Sequence, residues 1–158
     1  MSLTCNIVTQ ERTVFSGEVR SVSLPGTEGR MGILPNHSPL LTTLAFGEVI
    51  VRPSNTDEEQ YFAIGGGYAE VQPDHVIVLA DSAEQADEID LERAEQARAR
   101  AEKAMAEGIK EDPDQYAQIQ ASLMRAQIRL DVGRKGVGRR RRELAGGLGQ
   151  PPPRDDEE

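Results

Sequence analysis

Apolar and polar residues alternate through the first half of the chain with the two-residue period of half-buried strands, and near Asp81 the period becomes helical. Residues 3–9 alternate, Gln10-Glu-Arg12 is a turn, residues 13–16 precede Gly17, and residues 18–24 alternate cleanly with Val19, Val22 and Leu24 as predicted core. Two more strands follow at 30–34 and 40–46. Gly47 is read as a turn into a strand over 48–52, and residues 53–59 form a polar hairpin tip. Residues 61–64 run into Gly65-Gly-Gly67, then 68–71, a short turn and 75–80. Short strands punctuated by turn residues predict an antiparallel β-sandwich or barrel over 1–82. Three glycines inside strand-like sequence predict a bulge or a close backbone contact.

Beyond Asp81 the pattern predicts two helices. Ser82-Ala-Glu-Gln85 fits a capping box, and Asp87 or Asp90 suits the N-cap of a longer helix. Ala94, Ala97, Ala101 and Ala104 recur at spacings of three and four, a narrow seam of small residues suited to close helix–helix approach. Gly108 ends this helix, and Asp112-Pro-Asp114 restarts a second with Pro113 in its first turn. Tyr116, Ile119, Leu123, Ala126 and Leu130 share one stripe of the second helix, which the pattern ends at Gly133. The short connector predicts an antiparallel hairpin over 83–132, weakly held because alanines bury little area. Residues 133–158, with Arg139-Arg-Arg-Arg142, a Gly/Pro-rich spacer and an acidic end, predict a disordered tail. The fold class is therefore α+β.

Composition narrows the chemistry. The 158 residues carry a net charge of −9, with the basic excess confined to 133–158, so the body is not a nucleic-acid surface. With 4% aromatics and no Trp the core must be aliphatic. No apolar run reaches the roughly 20 residues that span a bilayer, and the N-terminus lacks a signal-peptide pattern, which predicts a soluble chain without direct membrane insertion. One cysteine, Cys5, and two histidines, His37 and His75, preclude an intrachain disulfide, a Cys/His zinc cluster and the usual nucleophilic triads. Cys5 alternates with apolar residues and reads as core.

One stretch punctuates the sandwich heavily: Gly26-Thr-Glu-Gly-Arg-Met-Gly-Ile-Leu-Pro-Asn-His-Ser-Pro-Leu-Leu41. Glycines suited to positive φ and prolines that fix φ force repeated sharp turns between apolar residues. Read by itself, it is a strand–turn–strand corner. It also closely resembles the G-x-x-G-I-L-P-x-H-x-P signature of the epsilon subunits of F-type ATP synthases (delta in mitochondria). Gly65-Gly-Gly-Tyr-Ala-Glu-Val71 resembles the family's second signature, G-G-x-x-E-V, and Ile89-Asp-Leu-Glu-Arg-Ala94 is similar to the I-D-x-x-R-A motif of members that bind ATP. The resemblance extends to about Val132.

Charge spacing on the helices singles out arginines. A turn near Lys110–Glu111 brings Arg93 opposite Arg129 and leaves Arg100 one to two turns from Arg125, so four guanidinium groups converge on an anion. That anion is a carboxylate such as Glu84, Asp90 or Asp131, or a phosphate, which arginine's planar fork suits well. Spacing alone favours an ordinary salt-bridged helix surface. The resemblance adds the second reading, a regulatory ATP site at Glu84, Ile89, Asp90, Arg93, Ala94, Arg100, Arg125 and Arg129. The chain has no Gly-rich phosphate loop, so such a site senses ATP without hydrolysing it.

The resemblance further implies a non-catalytic central-stalk subunit of a proton-translocating synthase, peripheral on the cytoplasmic face of a bacterial plasma membrane. Its implied partners are the gamma subunit, the c-ring and, with the helices extended, the alpha and beta subunits. No cofactor is required. Gly29, Arg30, Met31, Gly32 and His37 would contact the c-ring, although family members often carry an acid where Arg30 stands. The arginine run 139–142 reads as a solvated tail, with attachment to a beta subunit as the alternative.

Overall fold

The computed structural model describes residues 2–108 and 112–147. Seven strands, β1 (Leu3–Val8), β2 (Thr13–Gly26), β3 (Gly29–Ile33), β4 (Leu40–Pro53), β5 (Gln60–Val71), β6 (His75–Ala80) and β7 (Ala83–Gln85), are followed by a 3₁₀ turn, Ala86–Glu88. Two helices complete the described chain, α1 (Leu91–Ala106) and α2 (Pro113–Gly147). Strands β1, β6, β5, β4 and β2 form a ring that closes where β1 pairs with β2, with β3 added to β2 and β7 to β5. All pairings are antiparallel except β1 with β6, which run parallel. The expected α+β architecture is present.

Alternation explains the core. Leu3, Cys5 and Ile7 on β1 and Val76 and Val78 on β6 point inward and are fully buried. The predicted core residues Val19, Val22 and Leu24 join them, as do Val49, Val51, Phe62 and Val71. Phe15 meets Phe62 edge to face with ring centroids 5.7 Å apart.

The turn read at Gly47 and the strand boundary at Gly17 are absent. β2 runs unbroken through Gly17 and β4 through Gly47, because these strands are long and bend around the barrel. A Cβ at Gly47 would lie 2.6 Å from the Cβ of Pro25, so the glycine admits a neighbouring strand. Gly67, at φ 132°, is similar: a Cβ there would lie 2.0 Å from the Leu79 carbonyl oxygen. The glycine run marks where β5 leaves β7, paired through Phe62–Ile64, and takes up β6. The expected close contact is there.

The helical half keeps its outline and shifts its ends. Residues 83–85 extend the sheet as β7; the capping box is formed by Gln85 and Glu88 around the 3₁₀ turn, displacing the box expected at residues 82–85. Asp90 caps α1, its carboxylate accepting from the Arg93 amide at 3.0 Å. α1 ends before Gly108 (φ 81°), and the Asp112 carboxylate accepts from the Asp114 amide at 3.0 Å to start α2 at Pro113. The turn expected near Lys110–Glu111 lies outside the described residues.

The expected break at Gly133 is wrong. α2 continues to Gly147, so the segment read as a disordered tail is helical from 133 to 147, and residues 148–158 lie outside the described range. Gly133 and Gly136 are buried on the docking face of the helix. A Cβ at Gly133 would meet Leu91 Cδ2 at 2.6 Å and one at Gly136 would meet Ala86 at 3.0 Å. Close approach, not chain reversal, explains these glycines.

α1 and α2 pack along the predicted seam, with Ala94, Ala101, Ala126 and Leu130 buried. The pair docks on the sandwich through a second cluster, Ala63, Ala86, Ile89 and Val132, flanked by Tyr61, Leu91 and Ile128 and separate from the main core. Burial is worth roughly 1.5–3 kcal/mol each for Ile89 and Val132 and about 0.8 for each alanine methyl. That is a small interface.

Candidate functional site

A cleft of about 260 Å³ opens between the sandwich edge, the N-terminus of α1 and the middle of α2, lined by Glu84, Glu88, Ile89, Asp90, Arg93, Ala94 and Arg129. Each wall follows from local structure. Glu84 projects from β7, which pairs with β5. Ile89 is buried against α2, which aims the following residues outward. Asp90 is held by its capping bond, which fixes Arg93 one turn into α1.

Arg129 forms a two-point ion pair with Glu84, Nε to Oε2 at 2.7 Å and Nη2 to Oε1 at 3.2 Å. This fork joins α2 to the sandwich across the back of the cleft. Among the described residues Arg93 makes no ion pair. A second recess of about 330 Å³ shares Glu84 and Arg129 and reaches Arg12 and the β1–β2 connection. Arg12 in turn grips Glu88 with two bonds of 2.9 and 2.7 Å. That grip, foremost its hydrogen bonds, holds the Glu88 carboxyl below the usual carboxylate range. The rim therefore offers one cation without a carboxylate partner and two that carboxylates neutralise, an arrangement suited to a small anion at Arg93.

Six of the eight residues expected at an anion site are brought together here: Glu84, Ile89, Asp90, Arg93, Ala94 and Arg129. Arg100 and Arg125 are not. Arg100 lines a separate recess with Ala97, Ala101, Ile119 and Ser122. Arg125 donates to Ser122 Oγ at 3.2 Å and lies 5.9 Å from the Phe46 ring centroid. Arg125 shares a small further recess with Glu84 and Arg129, but Arg100 lies apart, so the four arginines do not meet in one cleft. Glu88 and Arg12 escaped the sequence reading, because their contact spans 76 positions and only the Gln85–Glu88 capping spacing hinted at either.

The other expected set, Gly29, Arg30, Met31, Gly32 and His37, lies on β3 and the connection after it, none of it lining the cleft. Arg30 folds back on β4, its Nη2 2.9 Å from the Glu48 carbonyl and 3.7 Å from the Glu48 carboxylate. Met31 packs against the main core. His37 Nδ1 donates to the Ser38 carbonyl at 2.7 Å, a local structural bond. Asn36, at φ 65°, donates its amide to the Pro73 carbonyl at 2.8 Å and ties this corner to the β5–β6 turn.

Two family models match consecutive parts of the chain: the beta-sandwich domain of the ATP synthase delta/epsilon chain over residues 2–86, and its long alpha-helix domain over 87–133. The chain belongs to the ATP synthase delta/epsilon family. The ATP synthase epsilon chain of Dehalococcoides mccartyi is 50% identical over 134 residues, covering 84% of this chain and 93% of that one. The epsilon chain of Herpetosiphon aurantiacus is 47% identical, with 85% and 96% covered. A chain in the Euglena gracilis mitochondrial ATP synthase structure (OSCP/F1/c-ring) shares the fold with TM-score 0.70 at 23% identity, over 82% of this chain and 79% of that one. The family's boundary at 86/87 falls inside the 3₁₀ turn that joins sandwich to helices. No described helix is long and apolar enough to cross a membrane.

Proposed function

We propose that this chain is the epsilon-type subunit of the central stalk of a bacterial, proton-translocating F-type ATP synthase. It has no catalytic residues of its own; as a member of the family it is a non-catalytic, peripheral part of a rotary enzyme. In this reading the sandwich joins the gamma subunit to the c-ring at the cytoplasmic face, with β3 and the 34–39 connection toward the ring. The helical pair is a reversible brake: folded on the sandwich it permits hydrolysis, and extended toward the alpha and beta subunits it blocks it.

The observation that carries the brake is the separate docking cluster. The helices rest on a small, alanine-rich contact outside the main core, so they can leave the sandwich without unfolding it. The cleft at Arg93 spans both parts, with Glu84 from the sandwich edge and Arg129 from α2. A nucleotide whose phosphates sit at Arg93 binds only the folded-down form and stabilises it by mass action.

Two measurements test this. Calorimetric titration with ATP should give saturable binding that Arg93→Ala weakens; no binding up to millimolar ATP removes the nucleotide role. Lys135 Nζ lies 2.7 Å from both Glu48 oxygens, close enough for a zero-length carbodiimide amide. The purified crosslinked subunit, reconstituted into the complex, should relieve inhibition of hydrolysis. Inhibition equal to that by the uncrosslinked chain overturns the brake.

A further inference from the structure

The family's helical domain ends at residue 133, yet α2 continues for fourteen more residues that carry six bases and one acid. These bases do not face solvent at random. Lys135 Nζ sits between the two Glu48 oxygens on β4, 2.7 Å from each, and 4.9 Å from the Tyr61 ring centroid. Arg139 reaches Glu58 in the β4–β5 connection at 3.6 Å and Asp87 in the 3₁₀ turn at 3.9 Å, and Arg140 reaches Asp87 at 3.6 Å. Arg134 lies 4.0 Å from Glu95 on α1. The extension therefore touches a strand, a loop and the interdomain turn of the acidic sandwich side, as well as the partner helix.

We infer that residues 134–147 are an electrostatic strap that holds the helical pair down on the sandwich. The apolar docking cluster is small, and the strap begins immediately after it at Val132, so both must release together when α2 lifts. Ion pairs with exposed partners weaken with salt, whereas the apolar contact does not. Glu48 is the deepest anchor, its side chain only 15% exposed. Together with the Arg129–Glu84 fork, the strap makes detachment of the helices sensitive to ionic strength, a property the apolar cluster does not supply. Its effect on hydrolysis rests on the brake proposed above; the strap itself does not.

The test uses the full-length isolated chain without nucleotide. Amide hydrogen exchange is followed over residues 128–136 at low and high salt for the parent, Lys135→Glu, Glu48→Lys and the double swap. Each single reversal should speed exchange by about fivefold or more at low salt, the double swap should recover part of the protection because Arg30 also faces position 48, and high salt should narrow the differences. A chain ending at Gly133, compared with the others over α1 (Leu91–Ala106), which every variant retains, should exchange as fast as the single variants, which guards against a misfolded reversal. Protection unchanged by Lys135→Glu, by truncation and by salt overturns the strap. That outcome leaves the ATP titration and the crosslinked reconstitution free to succeed or fail separately.

Discussion

Gly136 and Gly138 stand two residues apart in α2 and should respond differently to the same substitution. Replacing either by alanine removes backbone freedom from the unfolded chain and favours the helix by about 1 kcal/mol. At Gly138 a new Cβ meets nothing within 4 Å, so the gain is kept. At Gly136 the Cβ would sit 3.0 Å from the Cβ, carbonyl carbon and carbonyl oxygen of Ala86. Two of these atoms are backbone held by the capping box of the 3₁₀ turn, so they cannot swing aside. Overpacking of this kind costs about 1–3 kcal/mol. Gly138→Ala should therefore stabilise the docked helix by about 1 kcal/mol, while Gly136→Ala leaves it between unchanged and about 2 kcal/mol weaker. The difference between the two variants, about 1–3 kcal/mol, is independent of the propensity value and corresponds to about a five- to 150-fold ratio in opening. Hydrogen exchange of α2 amides, in the regime where it reports the opening equilibrium, reads that ratio directly. Equal stabilisation by both variants would refute close approach as the reason for Gly136.

Two further outcomes follow from buried or bonded ionisable groups. Tyr61 donates its hydroxyl to Glu59 Oε2 at 2.6 Å, and that bond, with burial behind it, pushes the phenol up to about 12. The same bond, ahead of Arg52's contribution, lowers the Glu59 carboxyl. Because the folded phenol value lies above the unfolded one near 10, Tyr61's contribution to stability is whole below pH 10 and vanishes as pH rises through about 12. Glu59 behaves in the opposite sense, contributing above the ordinary carboxyl pKa and failing as pH falls through its lowered folded value. Glu59→Gln should bring tyrosinate absorbance to lower pH in a spectroscopic titration; an unmoved titration refutes the pairing. Cys5 is fully buried and its thiol is pushed up to about 12 by burial, so the native chain should resist a thiol-disulfide reagent at neutral pH and react on unfolding. Cys5→Ser should cost about 1–3 kcal/mol in denaturant unfolding, since the hydroxyl enters an apolar core.

Local patterns carried most of the fold. Alternation at Leu3, Cys5 and Ile7 and at Val76 and Val78 named the inward face, and the alanine spacing of α1 named its seam. What escaped depends on tertiary partners. Gly47 and Gly133 look like breaks because glycine favours turns, but Pro25 and Leu91, brought close by folding, need the missing side chain. The cleft was legible wherever its residues lie close together in the chain, as Ile89, Asp90, Arg93 and Ala94 do. Arg125 stays beside Glu84 and Arg129 but outside the Arg93 cleft, and its neighbour Phe46, seventy-nine positions earlier on another element, was not legible in the sequence. The arginine run could not reveal that Arg139 and Arg140 meet Asp87 and Glu58 of their own chain.

The parallel pairing of β1 with β6 also dictates an order of assembly. Thr4 stands opposite His75 and Val8 opposite Leu79, so the first strand has no complete set of neighbours until the sixth has been synthesised. Pairing across seventy residues must overcome a large loop-closure entropy and is intrinsically slow. The helices contribute nothing to the main core, so ring closure does not wait for them. On the ribosome the sandwich can therefore finish as a unit while α1 and α2 are still being made. The helical pair then arrives as a late passenger on a completed body, and an error in its docking leaves that body intact.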